Sequence, residues 1–314
     1  MISPLISAAI CTYNRYDLLP KAIASLRRQS LATDEFEIIV VDNSPDRRKS
    51  ETFSRNYAGI SNLRWIVEAT PGLSNARNVA ARMARSPLIA FMDDDAVAAS
   101  DWLEELLAAF EEFGPEAKLV GGRVDPIWGV PRPDWLPDDL LGYVSVVNWG
   151  GVTRFASDSE WIAGTNLALR VEALVEAGGF SVKLGRTRGG EALLSNDESE
   201  VVARIRERGG RLVYSPAAVV EHLVPAERLS QGWFRRRAAW QAVSDYIQDP
   251  ASAFGNAPRF WRGVTEYYAR LPPRHRTPAG LHLDQTDPGM FRMQMSAVYN
   301  YTIALLSGFH GIGP

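Results

Sequence analysis

The chain has 314 residues, of which 46% are apolar, 10% aromatic and 23% charged, which excludes a disordered chain, a collagen and a disulfide-stapled miniprotein. At roughly 150 residues per domain this length predicts about two domains, with a core large enough to need no staples. With 34 basic against 37 acidic side chains the net charge is −3, so no global attraction draws the chain to nucleic acid or to anionic lipid.

A single cysteine, Cys11, excludes an internal disulfide and favours a reducing compartment, so the expected location is cytoplasmic. The opening run from Met1 to Ile10 has no basic leader and reads as a buried first strand rather than a signal peptide. No stretch reaches the ~18 uninterrupted apolar residues of a membrane-spanning helix. The nearest, residues 297–309, carries Asn300 and Thr302 and reads as a terminal helix docked on the core. A peripheral membrane contact through this C-terminal region is its other reading.

Residues 6–11 are apolar and end at a polar turn, as a strand does. Leu18, Leu19, Ala22, Ile23 and Leu26 then recur at helical spacing, with Asp17 placed to cap the helix. Residues 36–41 form a strand-like run ending in Asp42-Asn43-Ser44-Pro45, a turn signal. Residues 63–67 predict a third strand, Pro71-Gly72 a break and residues 73–84 a helix. Residues 88–92 predict a fourth strand, stopped by Asp93-Asp94-Asp95, and residues 102–113 and 119–124 predict a helix and an extended segment. This alternation predicts an α/β fold with a mainly parallel sheet flanked by helices on both faces. In such sheets ligands bind beyond the carboxyl ends of the strands. Three polar clusters fall there and are expected to converge on one crevice: residues 12–15, residues 42–44 and the acidic triplet.

The segment from Asp125 to Trp161 interleaves Pro126, Pro131, Pro133 and Pro137 with Trp128, Trp135, Trp149 and Trp161, and predicts irregular loops lining a pocket. Helices follow at 171–178 and 201–208, with a strand at 211–214. From Pro225 onward the pattern is helical and Arg-rich. Arg235-Arg236-Arg237 reads as a solvated basic helix face, or as a patch steering a phosphorylated acceptor or touching anionic lipid.

Three adjacent carboxylates repel one another and stay ionised most easily around a cation. A hard divalent ion such as Mg²⁺ or Mn²⁺ suits carboxylate and phosphate oxygens together. Four segments fall in order along the first third: Cys11-Thr12-Tyr13-Asn14-Arg15, Val41-Asp42-Asn43-Ser44, Gly72-Leu73-Ser74-Asn75-Ala76-Arg77-Asn78 and Phe91-Met92-Asp93-Asp94-Asp95. Together they resemble the nucleotide-sugar-binding half of glycosyltransferase family 2, with its Rossmann-like GT-A fold. The resemblance implies that Thr12 and Tyr13 border the base of the nucleotide, with Asn14 and Arg15 also on the donor side. It implies that Asp42 accepts a hydrogen bond from the base and that Arg77 reaches the nucleotide or its diphosphate. Asp93 or Asp94 would meet the ribose or the metal, and Asp95, last of the D-x-D pattern, would be the main metal ligand for Mn²⁺ or Mg²⁺.

Trp161-Ile162-Ala163-Gly164-Thr165-Asn166, ahead of Gly178-Gly179-Phe180, is similar to a family segment that helps form the acceptor side. It makes Asn166 and Trp161 the acceptor-binding candidates. Asn196-Asp197-Glu198-Ser199-Glu200 corresponds to the family's Glu-Asp pair, whose Asp is the general base, but here the pair is reversed. By register Glu198 holds the base position and Asp197 is the alternative. His222, after the strand at 211–214, matches a histidine that the family often places near the metal and diphosphate, which implies that it completes the metal site or meets phosphate.

The expected layout is a nucleotide-sugar-binding half at 1–124, an acceptor and base half of the same domain at 125–224, and a helical extension at 225–314. The expected activity is inverting, metal-assisted transfer from a nucleotide-diphosphate sugar, UDP by default. The acceptor would be a glycan, a lipid-linked or a small-molecule hydroxyl, with no nucleic-acid partner. One competing reading is a catalytically inactive nucleotide-sugar binder or scaffold. The other is a sugar nucleotidyltransferase, against which the first loop lacks the Gly-rich phosphate turn.

Overall fold

The structure is a computed structural model, and it describes residues 3–185 and 193–308. Met1 and Ile2 of the opening segment and Phe309 of the closing one lie outside the described residues. The chain divides into two compact units.

The first unit comprises Met1–Ile127, Ser145–Gly190 and Asp197–Leu223. Its elements in chain order are β1 (Ile6–Thr12), α1 (Leu19–Leu26), β2 (Phe36–Asp42), α2 (Arg47–Ser54), β3 (Leu63–Val67), α3 (Leu73–Met83), β4 (Leu88–Asp93) and β5 (Ala96–Ala98). There follow α4 (Trp102–Phe113), β6 (Ala117–Trp128), β7 (Arg154–Phe155), β8 (Leu167–Arg170), α5 (Val171–Glu176), α6 (Asp197–Glu207) and β9 (Arg211–Val224). The sheet order is β3-β2-β1-β4-β8-β6-β9-β5, with β7 beside β9. The parallel part is β3-β2-β1-β4, and β8 joins it antiparallel to β4. Alternate side chains of β1 serve the two faces: Ile6, Ala8 and Ile10 pack with α1 and α4, whereas Ala9 packs with α3 and β8. The α/β, Rossmann-like arrangement is as expected, but the sheet is mixed rather than mainly parallel, because β4/β8, β6/β8, β5/β9 and β7/β9 all pair antiparallel.

Several local expectations change. Asp17 does not cap α1: the cap position is Leu18, with no side-chain bond, and Pro20 in the first turn removes one donor that a cap would have served. The short α2, capped by Asp46 accepting from the Lys49 amide at 3.0 Å, has too little apolar face for periodicity to show it. The expected boundary at residue 124 falls inside β6, because Val124 pairs with Val147 and the strand continues through Asp125-Pro126-Ile127-Trp128. β9 runs well past residue 214, with Pro216 between the stretch that pairs with β7 and the stretch that pairs with β5.

The second unit comprises Trp128–Val144, Glu191–Asn196 and Val224–Pro314 and holds α7 (Gln231–Gln248), α8 (Pro250–Arg270) and α9 (Pro288–Leu306). Ser230, Asp249 and Asp287 cap these helices through their side chains. The expected pocket-lining role of the Pro/Trp segment does not hold for Trp135, which stacks edge-on against Phe291 at 4.8 Å and Phe234 at 5.7 Å within this unit's core. The basic triplet is not a uniform solvated face either. Arg235 pairs with Asp284 at 3.0 Å and Arg237 donates to Gln241 at 2.9 Å, which leaves Arg236 as the exposed member. Among the described residues no helix is long and apolar enough to cross a membrane.

Candidate active site

The parallel register aligns the strand ends. Thr12 lies opposite Asp42 across β1 and β2, and Cys11 opposite Asp93 across β1 and β4. The three polar clusters do come together. Thr12 Oγ1 donates to Asp94 Oδ2 at 2.7 Å, and the amide of Asn14, a left-handed residue at φ 58°, donates to Ser44 Oγ at 2.8 Å. Tyr13 is half-buried beside them. Asp42, expected to face the nucleotide base, is 0% exposed. Its two oxygens accept from Tyr16 Oη at 2.8 Å and from the Ser44 amide at 3.0 Å. Here it organises the two loops instead, because a buried carboxylate takes the donors its own fold offers.

The acidic triplet splits by direction. Asp94 turns to Thr12 and Arg15, while Asp93 and Asp95 face His222 on β9. His222 reaches them because it lies opposite Ala96 in the β5/β9 ladder, and the Leu223 amide donates to the Asp95 carbonyl at 3.0 Å. His222 Nε2 is 3.2 Å from Asp95 Oδ1 and 4.0 Å from Asp93 Oδ2. One ligand atom from each of the three lies within 4.8 Å of the others, and two carboxylates with one imidazole fit Mn²⁺ or Mg²⁺. Burial pushes the Asp93 carboxyl up, against the pull of Arg77. It pushes Asp94 up to about 7, with Arg15 opposing and the Asp95 charge adding to the rise. Carboxylates under this strain are the ones a bound cation relieves.

Asp197 and Glu198 open α6, where the helix dipole favours negative charge. Arg77 of α3 lies between them and the triplet, only 2% exposed. One guanidinium nitrogen, Nη1, is 2.7 Å from Asp197 Oδ2 and 2.9 Å from Glu198 Oε1, and the other, Nη2, is 3.6 Å from Asp93 Oδ1. Arg77, expected to reach the nucleotide or its diphosphate, is here paired with the acids, since a buried guanidinium must be paired. Its other face lies on the Phe180 ring at 5.5 Å. That ring is held by the Asn78 side chain, which accepts from the Phe180 amide and donates to its carbonyl, beside the left-handed Gly178 and Gly179.

The two acids differ in environment. Asp197 has 3% of its side chain exposed, and burial together with the neighbouring Glu198 charge pushes it up to about 8. Glu198 is 19% exposed. Burial raises it too, but Arg77 and the hydrogen bonds with Asp197 and its own backbone prevail and hold it below the ordinary range. Glu198 is therefore the ionised and reachable acid of the pair.

Of the Gly164-Thr165-Asn166 segment, the residue picked out from sequence is the one that does not face the site. Asn166 is fully buried, accepts from Trp102 Nε1 at 2.8 Å and donates to the carbonyls of Arg123 and Ala218 at 2.9 and 2.8 Å. All its polar capacity binds α4, β6 and β9 together, which corrects the acceptor role expected for it. Gly164 is the neighbour that matters, because a Cβ there would run into Glu198 Oε1 and Arg77 Nη2. Thr165 Oγ1 accepts from the Asp93 amide at 3.2 Å. Trp161 is half-buried, packs edge-on against Trp149 at 6.2 Å and accepts from its indole through the backbone carbonyl.

Residues 7–154 match the profile of glycosyl transferase family 2. The chain is homologous to the family 2 glycosyltransferases. A glucosyl-dolichyl phosphate glucuronosyltransferase from Haloferax volcanii is 28% identical over 254 residues, covering 78% of this chain and 77% of that one. A validoxylamine A glucosyltransferase from Streptomyces hygroscopicus subsp. jinggangensis is 34% identical over 121 residues, covering 38% of this chain and 28% of that one. The fold matches that of the mannosyltransferase PcManGT from Pyrobaculum calidifontis, solved in complex with GDP-Man and Mn²⁺. The TM-score is 0.62 at 22% identity, over 97% of this chain and 88% of the other. The architecture is thus of GT-A type, an α/β Rossmann-like unit followed by a C-terminal helical region.

Proposed function

We propose that the protein transfers a sugar from a nucleoside-diphosphate sugar to a hydroxyl of a glycan, a lipid-linked or a small-molecule acceptor, with inversion at the anomeric carbon. The observation that carries this reading is Glu198, partly exposed and paired with an Arg77 that also faces the Asp93–Asp95–His222 cation site. Mn²⁺ or Mg²⁺ bound there supplies charge neutralisation for the departing diphosphate. Glu198 takes the proton of the acceptor hydroxyl as its oxygen forms a bond to the anomeric carbon. The bond to the diphosphate breaks and the nucleoside diphosphate leaves. Arg77 keeps the Glu198 carboxylate charged and aimed, while Asp197 holds Arg77 from the buried side. A base opposite the leaving group gives in-line displacement in one step, and no sugar–enzyme bond is needed.

PcManGT was solved with GDP-Man, so the GDP class belongs in the test beside the UDP class expected by default. We place the reaction in the cytoplasm, where the single thiol Cys11 stays reduced. The experiment is a thermal-shift panel of UDP, dTDP, GDP and CDP with and without Mn²⁺, followed by a transfer assay with the sugar donor of the nucleotide that binds. A metal-dependent shift for one nucleotide and release of that nucleotide on transfer support the reading. Binding without transfer or donor hydrolysis would make the protein a nucleotide-sugar binder.

A further inference from the structure

We propose that Arg15 is a built-in counter-cation of the acidic site, which holds Asp95 and Asp94 while no divalent ion is bound and competes with that ion for Asp95. The inference rests on reading Asp93, Asp95 and His222 as the metal site. Arg15 Nη1 is 2.8 Å from Asp95 Oδ2 and 3.4 Å from Asp94 Oδ1. Asp95 therefore divides its carboxylate, with Oδ1 toward His222 Nε2 at 3.2 Å and Oδ2 toward the guanidinium.

The pair is one-sided. The Asp95 and Asp94 side chains are 2% and 7% exposed, whereas Arg15 is 35% exposed. The acids are held in the fold, and only the guanidinium has solvent to move into. The backbone before it is anchored, since the Asn14 amide is bound to Ser44 Oγ, so a rotamer change releases Arg15 without moving the loop.

The charge balance gives the pair a purpose. Asp93, Asp94, Asp95, Asp197 and Glu198 bring five carboxylates into this unit's site, and Arg77 is already shared between three of them. Arg15 is a second guanidinium within ion-pair distance of these acids. A positive charge paired with one of the ligands of a cation site lowers the affinity of an incoming cation by the difference between its interaction with the cation-free and the cation-bound state.

The test is a calorimetric titration with Mn²⁺ alone, without nucleotide, on wild type, Arg15→Lys and Arg15→Gln, together with melting curves in chelator and in Mn²⁺. Arg15→Gln is expected to bind Mn²⁺ about tenfold more tightly than wild type, with Arg15→Lys in between. In chelator Arg15→Gln is expected to melt lower, and its rise on adding Mn²⁺ to be larger. Should Arg15→Gln not fold, Arg15→Lys decides, because the weaker point-charge pair still predicts tighter Mn²⁺ than wild type. A variant that binds Mn²⁺ no more tightly than wild type overturns the inference and leaves the metal site standing. If neither wild type nor variants bind Mn²⁺, the metal-site reading fails and the inference fails with it.

Discussion

Arg77 shows how one side chain organises the chemistry. It is buried, paired with Asp197 and Glu198 and turned toward Asp93, so two acids adjacent in sequence acquire different characters. Glu198→Gln keeps the shape and removes the base we propose, so transfer should fall by about 10²–10⁴ while the nucleotide Kd stays unchanged. Steady-state kinetics with isothermal titration check this, and unchanged turnover would remove Glu198 from the role. Because Arg77 holds Glu198 below the ordinary value of 4.5, the acid limb of the kcat/KM profile should lie below that pH. Asp197 acts in the opposite sense. Its pKa is raised to about 8, so between about pH 4 and pH 8 the folded state keeps a proton that the unfolded chain has released. Its contribution to stability is fully present below pH 4 and is lost as pH rises through 8. Urea unfolding of wild type and Asp197→Asn from pH 4.5 to 8.5 should show the decline flattened in the variant, and equal slopes would assign it to other groups.

At the scale of elements, the site depends on how closely backbones approach. The turn at Gly164 passes so near the start of α6 that a Cβ meets both Glu198 and Arg77. Gly164→Ala should therefore displace the base by about 1 Å and cost roughly 10²-fold in rate. Circular dichroism should show the fold retained, and full activity would mean that Glu198 has room to spare. Asn166 ties α4 to β6 and β9, so Asn166→Ala should cost about 1–3 kcal/mol of stability by leaving buried partners unsatisfied. A raised acceptor KM with unchanged melting would restore the pocket role that its sequence context implied. These cases mark where sequence reading reaches its limit. The Gly-Thr-Asn segment was visible, but which of its residues faces the acids depends on the turn that carries them. Asp42 likewise stood at the right strand end, yet Tyr16, four residues beyond β1, closes it off through a contact no spacing rule encodes.

For the whole molecule, the two units differ in how they were written into the chain. The first is built from alternating strands and helices whose periodicities are strong, and its α/β class was legible from that alternation. The second gathers Trp128–Val144 with the C-terminal helices, although more than eighty residues of sequence separate them. Ligand linkage tests the chain as a unit: a nucleotide and Mn²⁺ at 100 times Kd should add about 2.7 kcal/mol to unfolding stability. Differential scanning calorimetry would read it, and the gain should vanish in Asp95→Asn if that carboxylate holds the ion.

The sequence by itself determined the α/β class, the strand ends on which the polar clusters stand, and the candidate set of Asp93, Asp95, His222 and the reversed acid pair. The class and the strand ends follow from local pattern, because a strand end and the loop after it are neighbours along the chain, whereas His222 and the acid pair were picked out by the resemblance to family 2. Only the tertiary structure showed that Arg77 pairs with both acids, that burial and Arg77 push Asp197 and Glu198 in opposite directions, that Asn166 and Asp42 are hydrogen-bonded inside the fold, and that Arg15 stands against Asp95. Each of these is a choice of partner among buried charged or polar groups. Such choices depend on which distant side chains are brought within about 3 Å and shut away from water, a property of packing that spacing along the chain does not carry.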